Sequence, residues 1–287
     1  MYVPLVNNAN GEVLTPARAR AIAHAVLTHN AQRKDRPVYV LADDVYVGSY
    51  LRASVKGQPI ASINGEDLGA PALGQMSDWT LSVVTASKTF ALPTARIAFA
   101  TTTNPWLFQS VAHYRTVLAH GRVPQITELT AAAALCLTPQ SWIDDWNRRY
   151  QRALGDLTHR IDLVNGAVGF DAFQIEPPEG GWFLPLRVSP RLMPGASSGI
   201  DAFAVLLHTA GVALLPGELF GYRDHADGFF LRGSLAVGGD TLRRVAVALQ
   251  DAAVELVSPD GPRLVEQAVK RARQVADIDA ILAACEY

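Results

Sequence analysis

The sequence predicts an α/β protein with a parallel-rich sheet in a larger first domain and a smaller α+β domain after it. Three observations predict this. The run 38–42, Val-Tyr-Val-Leu-Ala, is short, apolar and β-prone, and it ends abruptly in Asp43-Asp44, as a buried parallel strand does when it delivers acids at its C-terminal end. Two further apolar runs, 79–84 and 97–100, flank the turn Thr85-Ala86-Ser87-Lys88. From Gly166 the texture changes to alternating strand and helix pieces. The expected domains are therefore 1–160 and 161–287.

The elements follow in order. Segment 15–29 opens with Thr-Pro, an N-cap followed by Pro at the first helical position, and continues with Ala-rich helical periodicity. The strand 38–42 comes next, and ligands of open α/β sheets bind at the end where its two acids stand. A polar, Gly-rich stretch leads to the strand 79–84, the turn with Lys88, and the strand 97–100. Helical patterns dominate from Pro105 to about Asn165, including a very apolar one at 127–137 and a long Arg-rich one at 141–163 that could link two domains. The second domain reads as FQIEPP, GGWFLPLRV, a helix near 200–210, VALLP and FFLRGSLAV, closed by amphipathic helices at 240–257 and 262–284.

Composition narrows the function classes. The 287 residues are 49% hydrophobic and 18% charged, enough apolar sequence for a sizeable core. A formal net charge of -2 leaves no basic excess to displace counterions, so nucleic acid is not an expected partner. Cys136 and Cys285 supply neither a disulfide framework nor a spaced set of metal ligands, and a reducing cytosol fits them best. The first residues show no export signal, and no apolar run is long enough to span a membrane, so a cytoplasmic protein without a membrane partner is expected.

Only four lysines stand beside 21 arginines. Lys34, Lys56 and Lys270 lie in polar or charged surroundings and read as surface residues. Lys88 has apolar or hydroxyl-bearing neighbours and no acid nearby in sequence, a setting that favours the neutral amine needed to attack a carbonyl. A loop lysine reaching solvent is the plain alternative.

Six motifs stand in order: VNNANG at 6–11, ADDVY at 42–46, TASKTFALPTAR at 85–96, PEGGWF at 178–183, PGELFG at 216–221 and FLRGSLAV at 230–237. The series resembles the class I/II aminotransferases, the fold type I, aspartate-aminotransferase-like enzymes of pyridoxal 5'-phosphate (PLP). That family has an Asn-Asn-Pro-Thr-Gly turn, a strand ending in Asp with Tyr three residues on, Ser-x-Ser-Lys with Arg eight residues after the lysine, and a late Arg in a strand.

The resemblance implies a role for each matching residue. Lys88 would hold PLP as a Schiff base and shuttle a proton between substrate and cofactor. Asp43 would pair with the pyridine nitrogen, its other reading being a helix N-cap. Tyr46 and Asn8 would hydrogen-bond the ring's phenolic oxygen. Thr85 and Arg96 would bind the phosphate, Arg96 reading otherwise as a strand-edge surface charge, and Arg232 would clamp the substrate α-carboxylate, reading otherwise as half of a structural ion pair. Trp182 and Phe183 read either as substrate-side residues or as core. The implied activity moves an amino group from an α-amino acid to a 2-keto acid, in a homodimer.

Three departures temper the match. The turn is Asn-Asn-Ala-Asn-Gly, and Thr94-Ala95 replaces the usual Gly-Leu before Arg96. The N-terminal third of the family has no counterpart, so an uncovered sheet edge and uncovered apolar helix faces are expected. Other fold type I chemistries (decarboxylase, lyase, cyclase or amino-acid oxidase) and a catalytically dead binding partner are the competing readings.

Overall fold

A computed structural model describes residues 1–52, 54–118, 123–223 and 227–275. The chain divides into two compact units. The first comprises Met1–Asn8, Glu12–Arg148 and Glu179–Gly181, and the second Ala9–Gly11, Arg149–Pro178 and Trp182–Tyr287.

The first unit is built on a four-stranded sheet of β1 (Tyr2–Pro4), β2 (Val40–Asp43), β3 (Thr80–Thr85) and β4 (Ala98–Thr101), in that spatial order. β1, β2 and β3 run parallel, and β4 returns antiparallel to β3. The strand expected at 38–42 thus forms two residues later and is parallel on both sides. Helix α1 (Pro16–Gln32) makes the crossover from β1 to β2. Thr15 caps it through a hydrogen bond accepted from Arg18 N at 3.4 Å, with Pro16 in the first turn.

Side chains alternate across the sheet, and its two faces have different fates. The row Val3, Ala42, Ser82 is buried. The row Tyr2, Leu41, Leu81 lies on the opposite face, where Leu41 is 44% exposed although its strand is central. Parallel sheets normally bury both faces. Helices α2 (Pro105–Leu118) and α3 (Gln125–Leu137) likewise leave apolar side chains in solvent, Trp106 and Leu137 among them, and the described part of α2 buries none of its residues. The uncovered apolar helix faces expected from the sequence are present, and the open sheet face at Leu41 is an addition to them.

The long Arg-rich helix is α4 (Gln140–Val168), and the division between the units falls within it, after Arg148. The second unit has an antiparallel sheet of β5 (Phe173–Ile175), β6 (Phe183–Val188), β8 (Phe229–Ser234) and β7 (Leu215–Pro216), in that order. Helix α5 (Gly199–Ala210) packs on this sheet and against α6 (Gly239–Leu256) and α7 (Gly261–Val275). Phe173, Leu186, Leu206, Phe230 and Leu231 are its fully buried centre. The helix expected at 262–284 is seen as far as Val275, the rest lying outside the described residues.

Candidate functional site

The strand register brings most of the sequence-predicted residues to one edge of the first sheet. Pro4 pairs with Asp43, and Asp43 with Val83, so β1, β2 and β3 finish side by side. β1 leads to the exposed Asn8, β2 ends in Asp43 with Tyr46 just beyond, and β3 ends in Thr85 with Lys88 three residues on. β4 enters at the same edge, where Ala98 pairs with Thr85 and Arg96 stands two residues before it. This is the C-terminal edge, where open α/β sheets bind ligands.

Lys88 is partly buried, whereas Lys34, Lys56 and Lys270 are exposed. Its Nζ lies 5.5 Å from the centroid of the Tyr46 ring, which is itself buried. The next residue ties the two motifs together, because Thr89 Oγ1 donates to the Val47 carbonyl at 2.7 Å. Thr85 is also buried, and its hydroxyl donates to the Ile97 carbonyl at 2.8 Å while accepting from Ser87 N at 3.1 Å. That hydroxyl therefore closes the hairpin in this structure. Arg96 is exposed, sits at φ 50°, and donates from Nη1 to the Pro93 carbonyl at 3.0 Å. A left-handed arginine is uncommon and costs roughly 1 kcal/mol. It occurs where the family pattern and this sequence part company.

Asp43 starts no helix, so its N-cap alternative does not apply. Its Oδ1 accepts from Val45 N at 3.3 Å, and its Oδ2 accepts the phenol of Tyr2 at 2.5 Å. Tyr2 is 58% exposed, yet desolvation of its phenol, then this bond and the Asp43 charge, push that phenol up to about 12. Asp44 points the other way. It is 5% exposed, and burial first, with the Asp43 charge behind it, pushes its carboxyl up to about 6 against the opposing Ser82 hydroxyl. Neither Tyr2 nor the burial of Asp44 belongs to the motifs that the sequence offers. Strand alternation from Ala42 onward is the signal that separates the two acids.

The Glu179-Gly180-Gly181 motif belongs to the same unit and stitches two of its loops. Glu179 Oε2 accepts from Val13 N at 3.0 Å, the Glu179 carbonyl accepts from Leu51 N at 2.7 Å, and Gly181 N donates to the Ser49 carbonyl at 2.8 Å. Gly180 permits the approach. A Cβ there would lie 2.9 Å from both the Ser49 carbonyl oxygen and a Val13 methyl.

Arg232 lies in the second unit, on β8, partly buried between two aromatic rings. Its guanidinium carbon is 4.5 Å from the Phe220 ring centroid and 5.3 Å from that of Phe183. Phe183 is 3% exposed and serves the core of this unit, while Trp182 is partly buried with its ring 5.9 Å from Tyr150.

The fold is that of the fold type I aminotransferases. The aromatic aminotransferase of Pyrococcus horikoshii superposes with a TM-score of 0.69 at 22% identity, over 88% of this chain and 59% of that one. The aspartate aminotransferase of Rhizobium meliloti gives 0.69 at 20% identity, over 88% and 57%. Cystalysin from Treponema denticola, whose structure contains pyridoxal 5'-phosphate, gives 0.69 at 14% identity, over 89% and 57%. The chain thus spans less than two thirds of the length of each. No curated protein matches it. The family model for aminotransferases of class I and II matches residues 1–249, and the chain belongs to that PLP-dependent family.

Proposed function

We propose that the chain carries the PLP-binding lysine and the substrate-carboxylate arginine of an aminotransferase that moves an amino group from an α-amino acid to a 2-keto acid. One observation carries the reading. Asp43, Tyr46, Thr85, Lys88 and Arg96, an acid, a phenol, a hydroxyl, an amine and a guanidinium, all belong to strand ends or turns at the C-terminal edge of one sheet. These groups fit PLP chemically: a carboxylate suits a ring nitrogen, an amine an aldehyde, and a cation with a hydroxyl a phosphate.

In this reading the first unit is the cofactor domain. Lys88 would hold the cofactor, and its amine would be the base that takes the proton from the substrate Cα. Asp43 holds a proton on the ring nitrogen. Tyr46 and Asn8 would hydrogen-bond the ring's phenolic oxygen, while Arg96 would anchor the phosphate together with Thr85, whose hydroxyl would have to give up the Ile97 carbonyl to donate to it. Arg232, with a planar fork of donors, binds the substrate α-carboxylate in paired hydrogen bonds. Bound PLP supplies the electron sink for the pair left at Cα when its proton departs. A homodimer in the cytoplasm is the setting we propose with it.

The test is turnover. Purified protein supplied with PLP, a panel of α-amino acids and a 2-keto acid acceptor should form a new keto acid with ping-pong kinetics, and Lys88→Ala should form none. PLP bound through Lys88 with amino acids consumed but no amino group passed to the acceptor would contradict transamination and favour another reaction at Cα.

A further inference from the structure

We infer that Tyr2 is a positioning residue for Asp43: its phenol fixes the carboxylate that faces the cofactor ring nitrogen and sets how strongly that carboxylate holds the ring proton. The inference rests on the PLP reading above and goes beyond it, because no motif includes Tyr2. It starts from the register. Tyr2 pairs with Leu41 on the open face of the sheet, and Asp43 lies on the same face two residues further along the neighbouring strand. A tyrosine side chain is long enough to bridge that step. The Tyr2 hydroxyl reaches Asp43 Oδ2 at 2.5 Å, and the other carboxylate oxygen takes Val45 N at 3.3 Å.

Each oxygen therefore has one donor from the protein, which fixes the plane of the carboxylate and leaves lone pairs on it for a third donor. A phenol donating to a carboxylate also draws charge from it. Asp43 then holds a ring proton less tightly than it would alone. The titratable groups that act on the Tyr2 phenol are Asp43 and, more weakly, Tyr46, and both raise it.

Two substitutions and two readouts test this. Without cofactor, tyrosinate absorbance should show raised phenols, Tyr2 near 12 beside Tyr50 and Tyr150 that burial also raises, and Asp43→Asn should move one phenol toward 10, a shift absent when Asp43→Asn is made in Tyr2→Phe. With PLP labelled at the ring nitrogen, the NMR signal of the protonated nitrogen should persist about one pH unit higher in Tyr2→Phe than in wild type, the size expected for one charge-assisted hydrogen bond. A phenol titration untouched by Asp43→Asn overturns the contact. An unchanged nitrogen signal in Tyr2→Phe, in protein that binds PLP, overturns the positioning role alone. Wild-type protein that binds no PLP overturns the cofactor reading and this role with it, even where the phenol titration behaves as stated.

Discussion

Asp44 and its neighbour show how one residue step changes the chemistry of an identical side chain. Asp43 faces the open side of the sheet and meets donors, while Asp44 is buried beside Ser82 with its carboxyl raised to about 6. A raised carboxyl favours the folded state while it stays protonated. The stability it contributes is complete below the ordinary value of 3.8 and is lost as pH rises through about 6. Asp44→Asn should therefore stabilise the protein at pH 7 by roughly 1–3 kcal/mol and flatten the dependence between those two values, read by urea denaturation across that range. At φ 52°, Ala91 occupies a conformation that suits glycine. Ala91→Gly should raise stability by about 0.5–1 kcal/mol, the left-handed penalty outweighing the added chain entropy, and a loss in the same denaturation series would contradict it. Arg232→Lys keeps the charge but loses the planar fork. In the proposed enzyme it should raise KM for the amino acid about tenfold or more, measured by steady-state turnover, with PLP binding unchanged.

At the scale of elements, legibility followed the strength of local signals. Thr15-Pro16 announces α1, and the structure uses both as cap and first-turn residue. Thr15→Ala should cost about 1 kcal/mol in thermal or denaturant unfolding, through the lost cap. β2, β3 and β4 were legible because each is a short apolar run closed by polar residues. β1 was not, since three residues with a proline carry no periodic signal, and pairing with β2 alone makes them a strand. Missing β1 also hid Tyr2, whose contact with Asp43 exists only through the register. The 3₁₀ turns at Ile60–Ser62, Pro71–Leu73 and Met76–Trp79 appeared in the sequence only as a polar, Gly-rich stretch. Such short turns are set by the contacts around them more than by their own composition.

For the whole molecule, the order of motifs carried more than any single motif. Lys88 in isolation is a lysine in a hairpin turn; Lys88 after Asp43-x-x-Tyr46 and before Arg96 defines one edge of a parallel sheet. What the sequence withheld was the third dimension of that edge: the Thr85 hydroxyl turned into the hairpin, the left-handed Arg96, and the sheet face left open at Leu41. That open face also bears on behaviour in solution. Central-strand Leu41, with Trp106 and Leu137 on the helices, presents apolar surface of the kind that drives association. The most direct measurement of the central claim is borohydride reduction of the protein mixed with PLP, followed by proteolysis and mass mapping of all four lysines. The account predicts a reduced pyridoxyl adduct on Lys88 and none on Lys34, Lys56 or Lys270. An adduct spread over the exposed lysines, or no adduct on folded protein, would contradict it.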